Sequence, residues 1–314
     1  MSLFDLLGMI GGLALFLYGM HMLSEGLEKI SGGRLEKVLE SLTNNKIKAV
    51  LLGAGVTAVI QSSSAATVMV IGFVNSGIMK LSQAVGIIMG ANVGTTITSW
   101  LLSLTGIESD NLLLKLVKPT SFSPVLAMIG VIFIMFLKNS KKRDLGIIFV
   151  GFAILMYGMD MMSSAMKPLS EIPQFTGLFT MFTNPILGLL AGMILTAIIQ
   201  SSSASVGILQ ALCTTGTVTY AAAVPIILGQ NIGTCVTAMM SGVGAGRNAK
   251  RAAVIHLLFN IIGTGIFASV FYLSNAIFSF DFMTQAADGA GIAVVHTGFN
   301  ILATLVLLPF SNQL

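Results

Sequence analysis

Residues 172–246 contain no charged side chain, and four further uncharged runs cover 49–79, 81–107, 252–280 and 289–314. A membrane-spanning helix needs about 20 consecutive apolar residues, so each of these runs is long enough to cross a bilayer. Only 9% of the chain is charged, where soluble domains run near a quarter. A soluble globular enzyme, a nucleic-acid binder and a disordered scaffold are all excluded on these grounds. An outer-membrane barrel requires short segments of alternating polarity, but here the runs are continuous in Leu, Ile, Ala, Met and Gly. The chain is therefore an all-α polytopic membrane protein with the lipid bilayer as its surroundings. Cys213 and Cys235 lie inside apolar runs without CxxC spacing and read as packing residues. The N-terminus lacks a basic region and a small-residue cleavage site, so its first apolar segment is expected to be a retained helix.

Shifted so that position 57 falls on position 196, the chain aligns with itself without gaps. TAVIQSSSAA at 57–66 meets TAIIQSSSAS at 196–205 with eight identities in ten, and GIIMGANVGTTIT at 86–98 meets PIILGQNIGTCVT at 225–237 with seven in thirteen. GLALFLYGMHMLS at 12–24 meets GFAILMYGMDMMS at 151–163, again with seven in thirteen. Two homologous halves follow, divided as 1–144, 145–288 and a C-terminal helix at 289–314. Each half opens with an apolar helix (6–24 and 145–166). A polar or amphipathic link follows (25–48 and 167–184), then a stretch interrupted by QSSS (49–75 and 185–216) and one interrupted by GANVGTT or GQNIGTC (81–104 and 219–243). Further helices are expected at 120–137, 252–275 and 289–310.

Lys138, Lys141, Lys142 and Arg143 form one short basic loop, and Arg247, Lys250 and Arg251 another; both are expected on the cytoplasmic side. An even number of crossings must separate them. The QSSS stretch is the best candidate for a non-spanning element, because it can form two half-length helices that enter and leave on one side. Such breaks are tolerated at membrane depth where protein or a cavity shields them. Three crossings per half then place the two repeats in opposite orientations, the plan of many secondary transporters. The expected fold is two inverted-topology repeats, each with a re-entrant helical hairpin and a broken helix. It has seven spanning helices in all, with the N-terminus outside and the C-terminus inside.

Gln61-Ser62-Ser63-Ser64 and Gln200-Ser201-Ser202-Ser203 sit mid-run. Serine is a strong N-cap and a weak mid-helix residue, so a triplet there can cap the second half-helix and present hydroxyls outward. The N-terminus of that half-helix suits an anion; the carbonyls ending the first suit a small cation. Ser and Gly in membrane helices also serve close packing, but the duplication of both motifs favours a site. Asn92-Val93-Gly94-Thr95 and Asn231-Ile232-Gly233-Thr234 resemble the second half of each site: Gly permits an unwound turn, and Asn and Thr supply neutral oxygens suited to hard cations. The alternative is a purely structural kink. His256-x-x-x-Asn260 and His296-x-x-x-Asn300 each place two polar groups on one helical face, either lining a cavity or bonding between helices; zinc is disfavoured there. Asp160, whose repeat partner is His21, is an intramembrane acid and a candidate by that fact alone, with snorkelling as the alternative. No Ser/His/Asp order, HExxH, P-loop or strand-borne GxGxxG suggests catalysis, and no cofactor or transition metal is expected.

With duplicated QSSSA and G-x-N-[VI]-G-T, the chain resembles the type II sodium-dependent phosphate cotransporter family in its compact bacterial form, over nearly its whole length. The resemblance implies sodium-coupled transport of inorganic phosphate in a bacterial inner membrane, by an elevator-like motion of a hairpin-bearing domain against a scaffold. It implies phosphate at Ser62, Ser63, Ser64, Ser201, Ser202 and Ser203. Sodium, as coupling ion, is implied at Gln61, Asn92, Thr95, Gln200, Asn231 and Thr234. A homodimer and a PhoU-like regulator are partners left open, the chain itself being expected to lack a PhoU-like domain. Carriage of another oxyanion or a dicarboxylate, a passive anion channel and a membrane scaffold or sensor are the competing functions.

Overall fold

The computed structural model describes residues 3–31, 45–106, 119–166, 181–311 and 313. Most of the two expected links, 25–48 and 167–184, lies outside them. The described residues form α1 (Leu3–Ser31), α2 (Lys46–Ile60), α3 (Ser63–Asn75), α4 (Leu81–Ser103), α5 (Pro119–Phe136) and α6 (Ser140–Met166). The second half continues with α7 (Pro185–Ile199), α8 (Ser202–Cys213), α9 (Tyr220–Gly233), α10 (Cys235–Ser241), α11 (Arg247–Phe278) and α12 (Gly289–Leu307). Among the described residues there is no β-strand, only an isolated bridge between Thr219 and Ala286. Among the described residues six helical stretches are long and apolar enough to cross a membrane: α1, α4, α6, α9 with α10, α11 and α12. The apolar part of α5, Ser121–Phe136, falls in the shorter class with α3, α7 and α8.

Three helices outrun their apolar cores, α6 among them, since it begins at Ser140 and takes Lys141, Lys142 and Arg143 of the expected basic loop into its first turn. α1 continues to Ser31, where a link was expected, because Glu25 pairs with Lys29 at 2.6 Å and with His21 at 3.8 Å, each one turn away. α11 begins at Arg247 and takes the expected basic loop into its first turns.

Glycine contacts set the direction of the halves. A Cβ placed on Gly12 would lie 2.7 Å from the Met162 nitrogen, and one on Gly26 2.7 Å from Ile148 Cγ1; between them, Gly19 abuts Leu155. Contacts climbing α1 thus descend α6, and the two helices are antiparallel. Because 12–24 and 151–163 are the same segment of the repeat, the first helices of the two halves run in opposite directions. The pairs Gly12–Gly158 and Gly19–Gly151 exchange under the repeat shift, as an internal two-fold contact requires.

A second symmetric seam joins α2 to α4 and α7 to α9. Gly53 faces the Ile87 carbonyl and Gly90 the Val50 carbonyl; Gly192 faces that of Ile226 and Gly229 that of Leu189. Small residues let backbones approach this closely in membranes. The seam explains a difference from expectation. α4 runs unbroken through Asn92-Val93-Gly94-Thr95. In the second half the helix is interrupted only at Thr234, which keeps right-handed angles of φ −58° and ψ −26° and still bonds to the Gln230 carbonyl. Gly94 and Gly233 supply clearance rather than an unwound turn: a Cβ on Gly94 would meet the Ala54 carbonyl at 2.5 Å, and one on Gly233 would overlap that of Met193.

The helices gather into two packed groups. α5 and α1 flank α6, with Phe122 stacked on Phe152 and Gly130 against Gly146. The other group centres on α4, against which α2, α3, α8, α11 and α12 pack, with α9 joined to α7, α11 and α12. Between the groups, α8 does most of the touching, on α6 and α1.

Candidate anion and cation site at the paired hairpin tips

Each QSSS segment turns the chain in two residues. Gln61 (φ 56°, ψ 23°) and Gln200 (φ 60°, ψ 22°) end α2 and α7 in the left-handed region; Ser62 and Ser201 follow in extended conformation and cap α3 and α8. The cap is the same in both: the Ser62 hydroxyl accepts from the Ala65 amide at 3.1 Å, and Ser201 from the Ala204 amide at 3.2 Å. A helix usually closes this way on glycine, and a longer side chain there is strained by about 1 kcal/mol. Gln61 is held by its own amide, which donates to the Ala58 carbonyl and accepts from Thr98 Oγ1 at 2.8 Å. Loss of the cap is expected to cost about 1 kcal/mol. Ser62→Ala should therefore melt lower in detergent, and Ser62→Asn, which can still cap, should recover that loss.

The two tips meet. Ser64 Oγ donates to the Gln200 carbonyl at 3.3 Å, and Gln61–Ser64 and Gln200–Ser203 line one cavity of about 410 Å³. The remaining wall is Ile199, Ala204 and one face of α1: Leu17, Met20, His21 and Ser24. Sequence reasoning named His21 only as the partner of Asp160 and missed the other three. Their spacing of three and four residues along α1 was the available signal.

Two helix N-termini enter this space. The first amides of a helix have no intrahelical acceptor, so Ser63 and Ser64 at one tip, and Ser202 and Ser203 at the other, offer N–H groups beside the positive ends of two helix dipoles. The hydroxyls of Ser63 and Ser202 serve neither the caps nor the bridge between the tips. Among the described residues no Lys, Arg, Asp or Glu lines the cavity, and His21 is the single ionisable group in its wall. The last turns of α2 and α7 bring carbonyl oxygens to the same place. Among the described residues this is chemically a concave site for an anion, with no fixed cation in its wall.

The other candidates lie away from the wall of this cavity. Asn92 and Thr95 are buried and bond back along α4 to the Ile88 and Ala91 carbonyls. Asn231 bonds to the Ile227 carbonyl and accepts from Asn300 at 3.3 Å, while Thr234 Oγ1 is buried without a partner. His296 Nδ1 meets Ser99 Oγ at 2.7 Å, and Asn260 donates to Cys235 Sγ at 3.4 Å. His256 is fully enclosed with both ring nitrogens unpartnered. These groups join α4, α9, α10, α11 and α12 to one another. Asp160 is exposed on α6 and does not face the cavity.

Comparison with known proteins agrees with the duplicated plan. The Na+/Pi-cotransporter family model matches residues 15–164 and again 154–303, two matches displaced by the same interval as the internal repeat. The Bacillus subtilis protein YqeW, itself uncharacterized, is 32% identical over 302 residues, 95% of this chain and 92% of its own. The Escherichia coli K12 protein YjbB, named as a candidate inorganic phosphate exporter, is 28% identical over 310 residues; the match covers 98% of this chain but 54% of YjbB, so the chain spans about half of that relative. The rat sodium-dependent phosphate transport protein 2A is 32% identical over 99 residues, 31% of this chain and 15% of its own. No solved structure matches. With a duplicated match across nearly all of its length and two serine-tipped hairpins facing one cavity, this multi-pass membrane protein belongs to the Na+/Pi-cotransporter family, a family of transporters rather than enzymes.

Proposed function

We propose that the protein is a secondary transporter that carries inorganic phosphate across a bacterial cell membrane with sodium as the coupling ion. The observation behind this reading is the convergence of two capped helix N-termini on a cavity with no Lys or Arg among its described lining residues. Phosphate is met by the amides and hydroxyls of Ser62–Ser64 and Ser201–Ser203. With no fixed positive side chain among the described lining residues, its charge is balanced by helix ends and by sodium held at Gln61, Gln200 and the carbonyls closing α2 and α7. In this reading the hairpins re-enter, in keeping with α2, α3, α7 and α8 each being shorter than a membrane-spanning helix. The hairpin-bearing group moves as a unit against α1, α5 and α6, in the manner of an elevator.

Anion and cation then serve as each other's countercharge, so phosphate and sodium tighten one another by the same factor. In proteoliposomes of the purified chain, labelled phosphate is expected to accumulate above equilibrium only with a sodium gradient, and not with potassium or protons. Equal accumulation with potassium would refute sodium coupling. Flux that only equilibrates would establish a passive pore, and stronger competition by sulfate or a dicarboxylate than by phosphate would reassign the substrate. Binding without flux would leave a sensor. The direction of net movement follows the gradients imposed.

A further inference from the structure

One end of the group centred on α4 is strongly basic. α2 and α4 run parallel, since Gly86, Gly90 and Gly94 meet in turn the carbonyls of Lys46, Val50 and Ala54. Their first residues, and with them Lys46, Lys48 and Lys80, therefore lie together. α11 begins at the same end, because Arg251 near its start and Ser82 near the start of α4 face one cavity. The Gly246 amide, which donates to Asn75 Oδ1 at 2.8 Å, ties that start to the end of α3. Arg247 and Lys250 come with it. Among the described residues the only ion pairs are those of Glu25, on α1, so no carboxylate matches any of these cations.

The cavity that α4, α11 and the end of α12 enclose has a volume of about 450 Å³ and shares no residue with the one between the hairpin tips. Ser82, Arg251, Ser311 and Gln313 form its polar wall. Three features of that wall lack a partner within the protein. The Lys80 amide is taken by Gln83 Oε1 at 2.9 Å, and those of Gln83 and Ala84 by the Lys80 carbonyl. The first two amides of α4, on Leu81 and Ser82, are left without an acceptor at the positive end of a 23-residue helix. Arg251 is unmatched. Ser311 is only 7% exposed, and its hydroxyl oxygen is buried without a hydrogen-bond partner, which a folded chain seldom leaves uncompensated. The carbonyls closing α12 do not offset these donors, because those of Leu307, Leu308 and Phe310 are occupied by the amides of Phe310, Ser311 and Gln313.

We infer that this cavity binds the phosphate of an anionic phospholipid. The Arg251 guanidinium and the free amides of α4 donate to the phosphate oxygens, a pairing that suits the planar fork of arginine and the positive helix end. The hydroxyls of Ser82 and Ser311 and the Gln313 amide complete the shell. A lipid fits better than a soluble anion because the polar wall stands at the end of a membrane-spanning helix and passes directly into apolar surface. Leu81, Val85 and Ile255 form the rest of the cavity, and Ile78, Val254 and Phe310 are exposed within a few residues of it, where acyl chains would lie. Basic pockets between membrane helices select acidic headgroups in this way. A zwitterionic headgroup carries the same phosphate but brings its own cation toward Arg251 and the lysines around it, so net charge discriminates between the two. The inference rests on no assumption about the transported solute.

The test uses the purified full chain, delipidated in neutral detergent and sodium-free potassium buffer, with native mass spectrometry of bound phosphatidylglycerol, phosphatidylcholine or inorganic phosphate. Phosphatidylglycerol should be retained in preference to phosphatidylcholine. Arg251→Gln and Ser311→Ala should each lower its affinity about tenfold, as expected for a hydrogen bond to a charged group. Neither variant should melt lower without lipid, because neither side chain has a partner to lose. Ser82→Asp keeps the start of α4 favourable but sets a carboxylate against the phosphate, so it should lose the lipid while melting as high as the parent. Lys142→Gln removes one positive charge from the other basic cluster, at the start of α6, and should bind as the parent does. Equal losses in Arg251→Gln and Lys142→Gln would reduce the effect to general surface charge and overturn the inference. Equal retention of phosphatidylcholine overturns it too. Retention of inorganic phosphate alone, lost in Arg251→Gln, would make this a site for a soluble anion and overturn the lipid assignment.

Discussion

Replacing Ser63 and Ser202 together by alanine is expected to reduce phosphate transport about 100-fold, by the loss of two hydrogen bonds to a charged ligand at about 1.5 kcal/mol each. The fold should be nearly indifferent. Both serines occupy the first position of a half-helix whose cap is supplied by the preceding residue, Ser62 or Ser201. Their hydroxyls hold neither the cap nor the bridge from Ser64 to Gln200, so alanine removes a ligand contact and leaves the turn. Each single variant should lose about tenfold. The measurement is initial uptake in proteoliposomes, paired with a thermal melt in detergent. Normal uptake by the double variant would remove these hydroxyls from the phosphate site. A collapsed melt would mean that they are structural.

The largest effect on stability is expected at the helix seams. Gly90→Val and Gly229→Val each force a side chain into a carbonyl oxygen of the neighbouring helix, that of Val50 or Leu189. Backbone cannot yield as the end of a flexible side chain can, so the cost should be about 3 kcal/mol or more. Gly55→Ala and Gly265→Ala are the controls, because a Cβ there meets nothing within 4 Å. Yield of monodisperse protein and its melting temperature should collapse for the seam variants and hold for the controls. A seam variant that melts like the parent would show that these helices are not in close apposition.

Much of the architecture was readable before any coordinates. Uncharged runs announce spanning helices because a bilayer tolerates little else, and one constant offset relates the halves because duplication leaves local sequence behind. The Gln-Ser-Ser-Ser break was legible for a local reason: serine competes for backbone amides and caps best where a helix restarts. Which candidates would share a cavity was legible only in part. Gln61–Ser64 and Gln200–Ser203 do share a cavity, but the Asn-x-Gly-Thr segments, read as unwound turns, are helical and lie off its wall. A glycine written in a sequence signals either freedom of angle or closeness of approach. At Gly94 and Gly233 only the neighbouring carbonyls of Ala54 and Met193 identify it as approach.

What the sequence determined by itself was the membrane class, the duplication and the capped breaks, since each depends on residues close together in the chain. What tertiary structure decided was the antiparallel contact of α1 with α6, the third wall of the cavity from Leu17 to Ser24, and the inequality of the two halves. That inequality has no local cause. Thr98 and Thr237 stand at equivalent places beside equivalent glutamines, yet one is bonded and the other is not. The difference belongs to how two near-identical units pack against one shared helix pair, where room for one hairpin to dock leaves the other standing off.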